Sequence, residues 1–282
     1  MYKSEATQSR AKNAGVDLLP SDERLVLEAD YILSIVPPRD AKATADRIIR
    51  NISIRADTDR PLYYLDLNAI APSTARSIAS QFDASGGDVR VLDGGIIGGP
   101  PKPGSEKTEE WYRPSICLSG PWTLEAGLAS VLNTKHVGPE IGTASGLKCC
   151  FASLTKGYTA LAIQSFSTAH QLGVLPALEE YITAHGGKPR LEMQQKSLVS
   201  MPPKAGRWVE EMREINKTFN EDGGWEAENV FEAIAGIYDF VAEGSVLGKE
   251  HVDKRVRGTT ARDVVDALGE GLEARRQRRK SV

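Results

Sequence analysis

Cysteine is scarce and odd in number: the 282-residue chain has three, Cys117, Cys149 and Cys150, two of them adjacent. That leaves no secreted disulfide framework and no C-x-x-C zinc pattern. Histidine is as thin. His136, His170, His185 and His251 stand far apart, so no HExxH or HxH pair exists and no metal is expected. Long apolar runs are missing too; none reaches the roughly 18 residues of a membrane span. The opening stretch, MYKSEATQSRAKNAG, is polar and mildly basic, which does not read as a signal peptide. The N-x-S/T sites at Asn51 and Asn216 are therefore read as chance matches, and the expected location is cytoplasmic. Nor is there an excess of one charge. Lys+Arg 35 against Asp+Glu 38 leaves −3, with a pI near 5.9, which argues against a nucleic-acid binder.

What is present is length. At about 150 residues per domain the chain has room for two domains, and a chain of this size buries about 75% of its unfolded surface without disulfide or metal staples. Gly 26 and Pro 15 stay far below a low-complexity share.

The first half alternates short apolar runs with helical patterns. Ser4 to Asn13 reads as a helix stopped at Gly15, and Ser21 as the cap of a short one. Tyr31 to Val36 is a buried strand halted by Pro37-Pro38, and residues 40–50 are helical. Strands follow at 62–67, 89–92, 116–118 and 135–137, with a helix from Pro72 that ends before Gly86-Gly87 and another over 121–132. Such alternation predicts βαβ units in a mostly parallel, doubly wound sheet, which binds ligands at the carboxyl ends of its strands. The second half has no convincing strand. Gly142 to Leu172 reads as one helix with only two charges before His170, Lys148 and Lys156. A helix so apolar is expected to be buried, in the middle of a larger assembly. Helices are also read over 177–184, 191–200, 203–219 and 225–242, with a weaker one over 259–274. The terminal ARRQRRKSV, five positive charges in nine residues, reads as a disordered tail. The resulting division is a first domain over 1–141, a helical domain over 142–258, and a weak helix with basic tail over 259–282.

Two features bear on chemistry. The loop DGGIIGGPPKPG begins at Asp93, where the strand is read to end. Its glycines let a ligand approach the backbone closely, or they form an ordinary connector. Its spacing is not G-x-G-x-x-G, so it is no phosphate cradle. Lys148 heads a stripe of small residues, Ala152, Thr155, Thr159 and Ala162. On a buried helix, with Lys156 two turns on, desolvation and repulsion would lower its pKa towards proton-transfer values. A snorkelling lysine with its head in solvent is the alternative.

Four stretches in order, ADYILSIVPP, LDLNAIAPSTA, LDGGIIGGPP and SGLKCCFASLTKG, resemble the β-hydroxyacid dehydrogenases, the superfamily of 3-hydroxyisobutyrate and 6-phosphogluconate dehydrogenases. GLKCCFASLTKGYTALAIQSFSTAHQLGV and KAGRWVEEMREI look more narrowly like the branch with a phosphogluconate dehydrogenase, NAD-binding, putative C-terminal domain. The resemblance runs to about residue 245. It implies an α/β Rossmann-like N-terminal domain and an all-α C-terminal domain, binding of NADP or NAD, a small hydroxy-acid-like substrate, and a homodimer. By motif, Val36, Pro37, Pro38 and Asn68 fall on the cofactor side, Asp93, Gly98 and Gly99 on the substrate-carboxylate loop, and Lys148 on the catalytic lysine. Ala152 stands where the family has asparagine; Thr155 and Lys156 would contribute polar groups instead, Lys156 towards substrate. Asn68 and Ala69 replace a usual serine and threonine.

Against that resemblance, the sequence has no strand–GxGxxG–helix unit to seat a pyrophosphate. It opens at Tyr2-Lys3-Ser4, which would match the end of the family's second strand. The reading is thus a Rossmann-like domain lacking its first βα unit, with weak or no NAD(P) binding expected of the chain as written. A catalytically inactive helical dimerisation or binding module is the alternative, and an imine-reductase-like activity is disfavoured by Lys148. Around Lys204, Arg207 and Trp208 the sequence admits either pocket-lining or helix-start packing.

Overall fold

The computed structural model describes residues 5–55, 60–104, 111–251 and 254–281. Tyr2-Lys3-Ser4 lies outside them. Two compact units emerge: the described residues of Met1–Asn68 and Thr74–Ala144 form the first, and Ala69–Ser73 with Ser145–Val282 the second.

The first unit runs α1 (Glu5–Asn13), α2 (Asp22–Glu28), β1 (Tyr31–Ser34), α3 (Ala41–Ile49), β2 (Leu62–Asp66), α4 (Pro72–Ala84), β3 (Val89–Ile97), β4 (Ser115–Ser119), α5 (Ala126–Val131) and β5 (Thr134–Gly138). Ser21 caps α2 as expected, its Oγ accepting from the Arg24 amide at 3.3 Å. The other end of α2 is closed by the buried Arg55, whose Nη1 donates to the Val26 and Ala29 carbonyls at 2.7 and 2.9 Å. A cation there also opposes the negative end of the helix dipole.

The described strands lie in the order β1-β2-β3-β4-β5. Three neighbouring pairs are parallel and β3–β4 is antiparallel, so the sheet is parallel-dominated as predicted. Its order runs straight through without a reversal among the described strands.

Two local readings need correction. β3 does not end at Asp93 but continues to Ile97, with Gly94 and Gly95 paired to Leu118 and Cys117. Gly94 is there because there is no room for a side chain: a Cβ would come within 2.6 Å of Leu67 and 2.8 Å of Leu118. The helix read over 121–132 is only α5, started by the Glu125 side chain, which accepts from the Gly127 and Leu128 amides.

The second unit is helical: α6 (Thr143–Gln171), α7 (Leu175–Gly186), α8 (Lys188–Ser200), α9 (Ala205–Glu221), α10 (Phe231–Glu243) and α11 (Ala261–Lys280). Its core gathers Cys149, Ile163 and Phe166 of α6 with Leu198, Met212, Tyr238 and Leu268. The small-residue stripe of α6 lies mostly inside, with Ala152, Thr159 and Ala162 buried and Thr155 exposed. Small side chains let neighbouring helices pack closely.

Three expectations fail in this unit. Residues 225–230 are not helical; the helix starts at Phe231. The basic tail is ordered to Lys280 as the last turns of α11. There Arg275 lies over the Phe240 ring at 4.7 Å and Arg276 donates to Gln171 at 2.8 Å, and cations suit a helix C-terminus. Nor is α6 covered all round. Leu147, Phe151, Leu154 and Leu161 form an exposed stripe at helical spacing, Leu154 being 76% exposed.

Candidate functional site

In the first unit a row of buried polar side chains crosses the sheet. Register pairs Ser34 with Asp66, Asp66 with Asp93, and Asp93 with Ser119, and all four are at most 3% exposed. Ser34 and Asp66 are the last residues of β1 and β2, where ligands of parallel sheets gather. Burial, and then the charge of Asp93, pushes the Asp66 carboxyl up to about 7, against a hydrogen bond from the Asn68 amide. Asp93 is committed to structure: its Oδ2 accepts from Ser119 Oγ and from the Gly142 amide, both at 3.0 Å. It braces the approach to α6, and the loop presented beyond it begins at Gly98.

Asn68 is likewise turned inward, only 2% exposed. Its Oδ1 accepts from the Val36 amide at 2.7 Å and its Nδ2 donates to Ser34 Oγ at 3.0 Å. An asparagine meets a donor and an acceptor at once, so Asn68 fixes the Val36-Pro37-Pro38 turn to β2. Pro38 is buried; Val36 and Pro37 are half-buried.

At Gly98 φ is +122°, and a Cβ would meet the Tyr112 hydroxyl at 2.6 Å. The Gly99 amide donates to that hydroxyl at 3.3 Å, whereas a Cβ on Gly99 meets nothing within 4 Å. Gly98→Ala is therefore expected to lower Tm by roughly 3–8 °C through backbone strain. Gly99→Ala should leave it within a degree or so; equal melting curves for the two variants would disprove the constraint.

In the second unit Lys148 is half-buried on the second turn of α6. The deeper lysine is Lys156, whose side chain is 13% exposed and in contact with Glu211 of α9. Burial, then the charges of Lys148 and Arg207, push Lys156 down to about 7. Glu211 also receives Arg207 Nε at 3.1 Å. Lys156 and Lys204 face the Trp208 ring, with Nζ 5.2 and 5.9 Å from its centroid. That ring is held edge-on by Tyr238, whose hydroxyl donates to the Lys156 carbonyl at 2.5 Å. Lys204, Arg207 and Trp208 thus belong to one charged cluster with Lys156. Sequence reasoning missed Glu211; as one of several acids on an amphipathic helix it carries no local signal.

A cavity of about 530 Å³ lies elsewhere in this unit, lined by Phe166, Leu175, Val199 and Val265 and by Glu179, Lys196 and Arg262. Phe166 lies about 27 Å along α6 from Lys148 at 1.5 Å per residue. Among the described residues no group of three or more His, Cys, Asp or Glu side chains could hold a metal ion, and no helix is long and apolar enough to cross a membrane.

Similar proteins share this architecture. A family model described as a domain of unknown function, DUF1932, matches residues 169–241. A 3-hydroxyisobutyrate dehydrogenase of Mycobacterium tuberculosis aligns over 94% of this chain and 88% of its own, with a TM-score of 0.61 and 18% identity. The conserved protein MTH1747, described as structurally similar to 3-hydroxyacid dehydrogenases, aligns over 86% and 85%, with a TM-score of 0.56 and 26% identity. The chain carries the β-hydroxyacid dehydrogenase fold. The superfamily resemblance read from four short motifs, and the pairing of a parallel-dominated sheet with a helical domain, are thereby borne out. An uncharacterised 28.5 kDa protein of Methanothermus fervidus is 25% identical over 217 residues, 76% of this β-hydroxyacid dehydrogenase-like chain and 78% of that protein.

Proposed function

We propose that the chain is an NAD(P)-dependent oxidoreductase acting on a small hydroxy acid, with Lys148 as general acid/base. The observation that carries this reading is a half-buried lysine at the start of α6, in a chain of this fold, within electrostatic range of a second, buried lysine. A general base acts through its neutral amine, the form that can accept a proton.

The first unit offers residues that fit the nicotinamide end of a dinucleotide. The Val36-Pro37-Pro38 turn lies beyond the carboxyl end of β1, is apolar and partly buried, and is pinned by Asn68. Asn68 is then a positioning residue rather than a contact. No described turn has the glycine spacing that cradles a pyrophosphate, so these residues account for one end of the cofactor only. When bound, NAD(P) supplies a hydride acceptor or donor. The Lys148 amine takes the proton of the substrate hydroxyl during oxidation and returns it during reduction, while the loop at Gly98 and Gly99 receives the substrate carboxylate. Lys156 contributes positive charge near the substrate.

A panel of hydroxy acids, assayed for absorbance of reduced cofactor with NAD or NADP, tests the proposal. Cofactor-linked turnover of a carboxylate-bearing substrate is the expected result. Its absence across the panel, with no fluorescence change on titrating NADPH, favours the inactive binding module.

The exposed stripe on α6 supports a homodimer, since four large apolar side chains at helical spacing stay bare in a single chain. The double variant Leu154→Glu/Leu161→Glu should weaken self-association by roughly 100-fold or more, measured by sedimentation equilibrium. A monomeric parent chain at the same concentrations rules the dimer out.

A further inference from the structure

The basic end of α11 has no part in the chemistry at Lys148. Arg275, Arg276, Arg278, Arg279 and Lys280 make up its last turns, and every residue from Glu273 to Ser281 is exposed. Arg275 and Arg276 are anchored to the body of the unit, one over the Phe240 ring and the other on Gln171. Arg278, Arg279 and Lys280 pair with no acidic side chain among the described residues. The helix dipole favours cations at this end, but it does not ask for an adjacent pair set at a fixed distance from a serine. That serine, Ser281, follows the last helical residue, and its Oγ donates to the Arg278 carbonyl at 2.9 Å. Along Arg278-Arg279-Lys280-Ser281-Val282, two guanidinium groups stand three and two residues before a hydroxyl, and an apolar residue follows it. No other serine or threonine of the chain has adjacent arginines at those two positions. Ser53 and Thr260 each have a single arginine three residues before them, and Thr260 Oγ1 already accepts from the Asp263 amide as the cap of α11.

We propose that Ser281 is a phosphorylation site for an arginine-directed serine/threonine kinase, with ATP as the phosphate donor. A guanidinium pairs with a carboxylate through two parallel hydrogen bonds, so a kinase groove lined with acidic side chains reads Arg278 and Arg279 by position. Charge patterns of this kind set which substrates a kinase accepts. Presentation costs little, because helix ends fray and only the last turn of α11 has to open. The preceding turn stays in place through Arg275 and Arg276. Ser281 Oγ attacks the γ-phosphorus of ATP, the bond from that phosphorus to the oxygen of departing ADP breaks, and the hydroxyl proton passes to a carboxylate base of the kinase. The new phosphate lowers the net charge of this basic end by about two at neutral pH, and the Arg278 carbonyl loses its hydroxyl donor. The site depends neither on the dehydrogenase reading nor on the dimer.

Incubation of the full chain with ATP and the catalytic subunit of a cyclic-AMP-dependent protein kinase, followed by peptide mass spectrometry, tests the site. Phosphate on Ser281 is the expected result, and Ser281→Ala should abolish it with Tm unchanged. Arg278→Gln and Arg279→Gln should each lower kcat/KM for phosphorylation by roughly tenfold or more, the size of a lost charged hydrogen-bond pair. Lys280→Gln, between the pair and the serine, removes the same charge and should change it by about twofold or less. Similar losses in all three variants would mean that total charge is recognised and not the arginine pair, which overturns the proposal. No phosphate on the chain, or phosphate on Ser53 or Thr260 in place of Ser281, overturns it as well. So does phosphorylation of a synthetic peptide of residues 274–282 without any of the folded chain, since α11 would then withhold the serine.

Discussion

Lys148→Met should lower kcat for hydroxy-acid oxidation by about 10²–10⁴-fold, the span that general acid–base groups contribute, with a much smaller change in KM. Methionine keeps the unbranched length and suits a helix, so packing at the half-buried start of α6 survives. What disappears is the group proposed to accept the hydroxyl proton. Lys148→Arg sharpens the test, because arginine keeps the positive charge yet does not deprotonate in proteins. If Lys148 merely attracted the substrate, arginine would restore activity. If it moves a proton, arginine should be as impaired as methionine. Added small amines should partly rescue Lys148→Ala in proportion to their free-base concentration. Lys156→Met should act differently, raising KM more than it lowers kcat, since Lys156, held by Glu211, is proposed to supply charge near the substrate rather than to move a proton. Full activity in Lys148→Met would remove the lysine from the mechanism.

Most of the fold was legible because it is written in periodicity and punctuation. Ser21 before an acidic turn marked α2, Pro72 marked the first turn of α4, and Pro37-Pro38 marked the end of β1. The failures share a cause: residues whose local preference is overruled by a distant neighbour. Gly94-Gly95 looks like a loop, but its lack of side chains is what lets β3 pass between Leu67 and Leu118. The cluster of arginines after Ala274 looks solvated, but Phe240 and Gln171 give it partners. The bare stripe on α6 hid in the opposite way. A helix rich in Ala, Leu and Phe reads as apolar all round, and only the packing of the other helices shows which face they leave uncovered.

The site was legible only where one residue type stood out from its surroundings. Two lysines in a nearly uncharged helix were visible, and so were the Gly98-Gly99 loop and the turn at Pro37-Pro38. Glu211 was not, because the bond that gives it meaning joins residues 55 positions apart. The polar row Ser34–Asp66–Asp93–Ser119 was hidden for the same reason, since register across four strands exists only once they pair. Asn68 was seen, but its hydrogen bonds to Val36 and Ser34 were not.

That polar row carries a strong pH dependence, and Asp66→Asn should stabilise the protein more at pH 8 than at pH 5. Asp66 is 2% exposed, sits in register with the equally buried Asp93, and has an Oδ2 with no hydrogen-bond partner. Burial first, and the Asp93 charge in addition, raise its pKa from an ordinary 3.8 to about 7. The folded chain therefore keeps this proton up to about pH 7, while the unfolded chain releases it near 3.8. Between those values the folded state binds more protons, so stability falls as pH rises, and the full cost remains above the folded pKa. Asparagine is neutral at every pH and retains an oxygen for the Asn68 amide, which Asp66 Oδ1 accepts at 3.0 Å. The gap in Tm between variant and parent should widen by roughly 5–10 °C from pH 5 to pH 8, followed by thermal denaturation in matched ionic strength. An equal shift at both pH values would mean that Asp66 is ionised in the folded state across the range, its charge met by a group other than Asn68. Asp93→Asn provides the complementary check, for with that charge removed the pH-dependent gap at Asp66 should shrink.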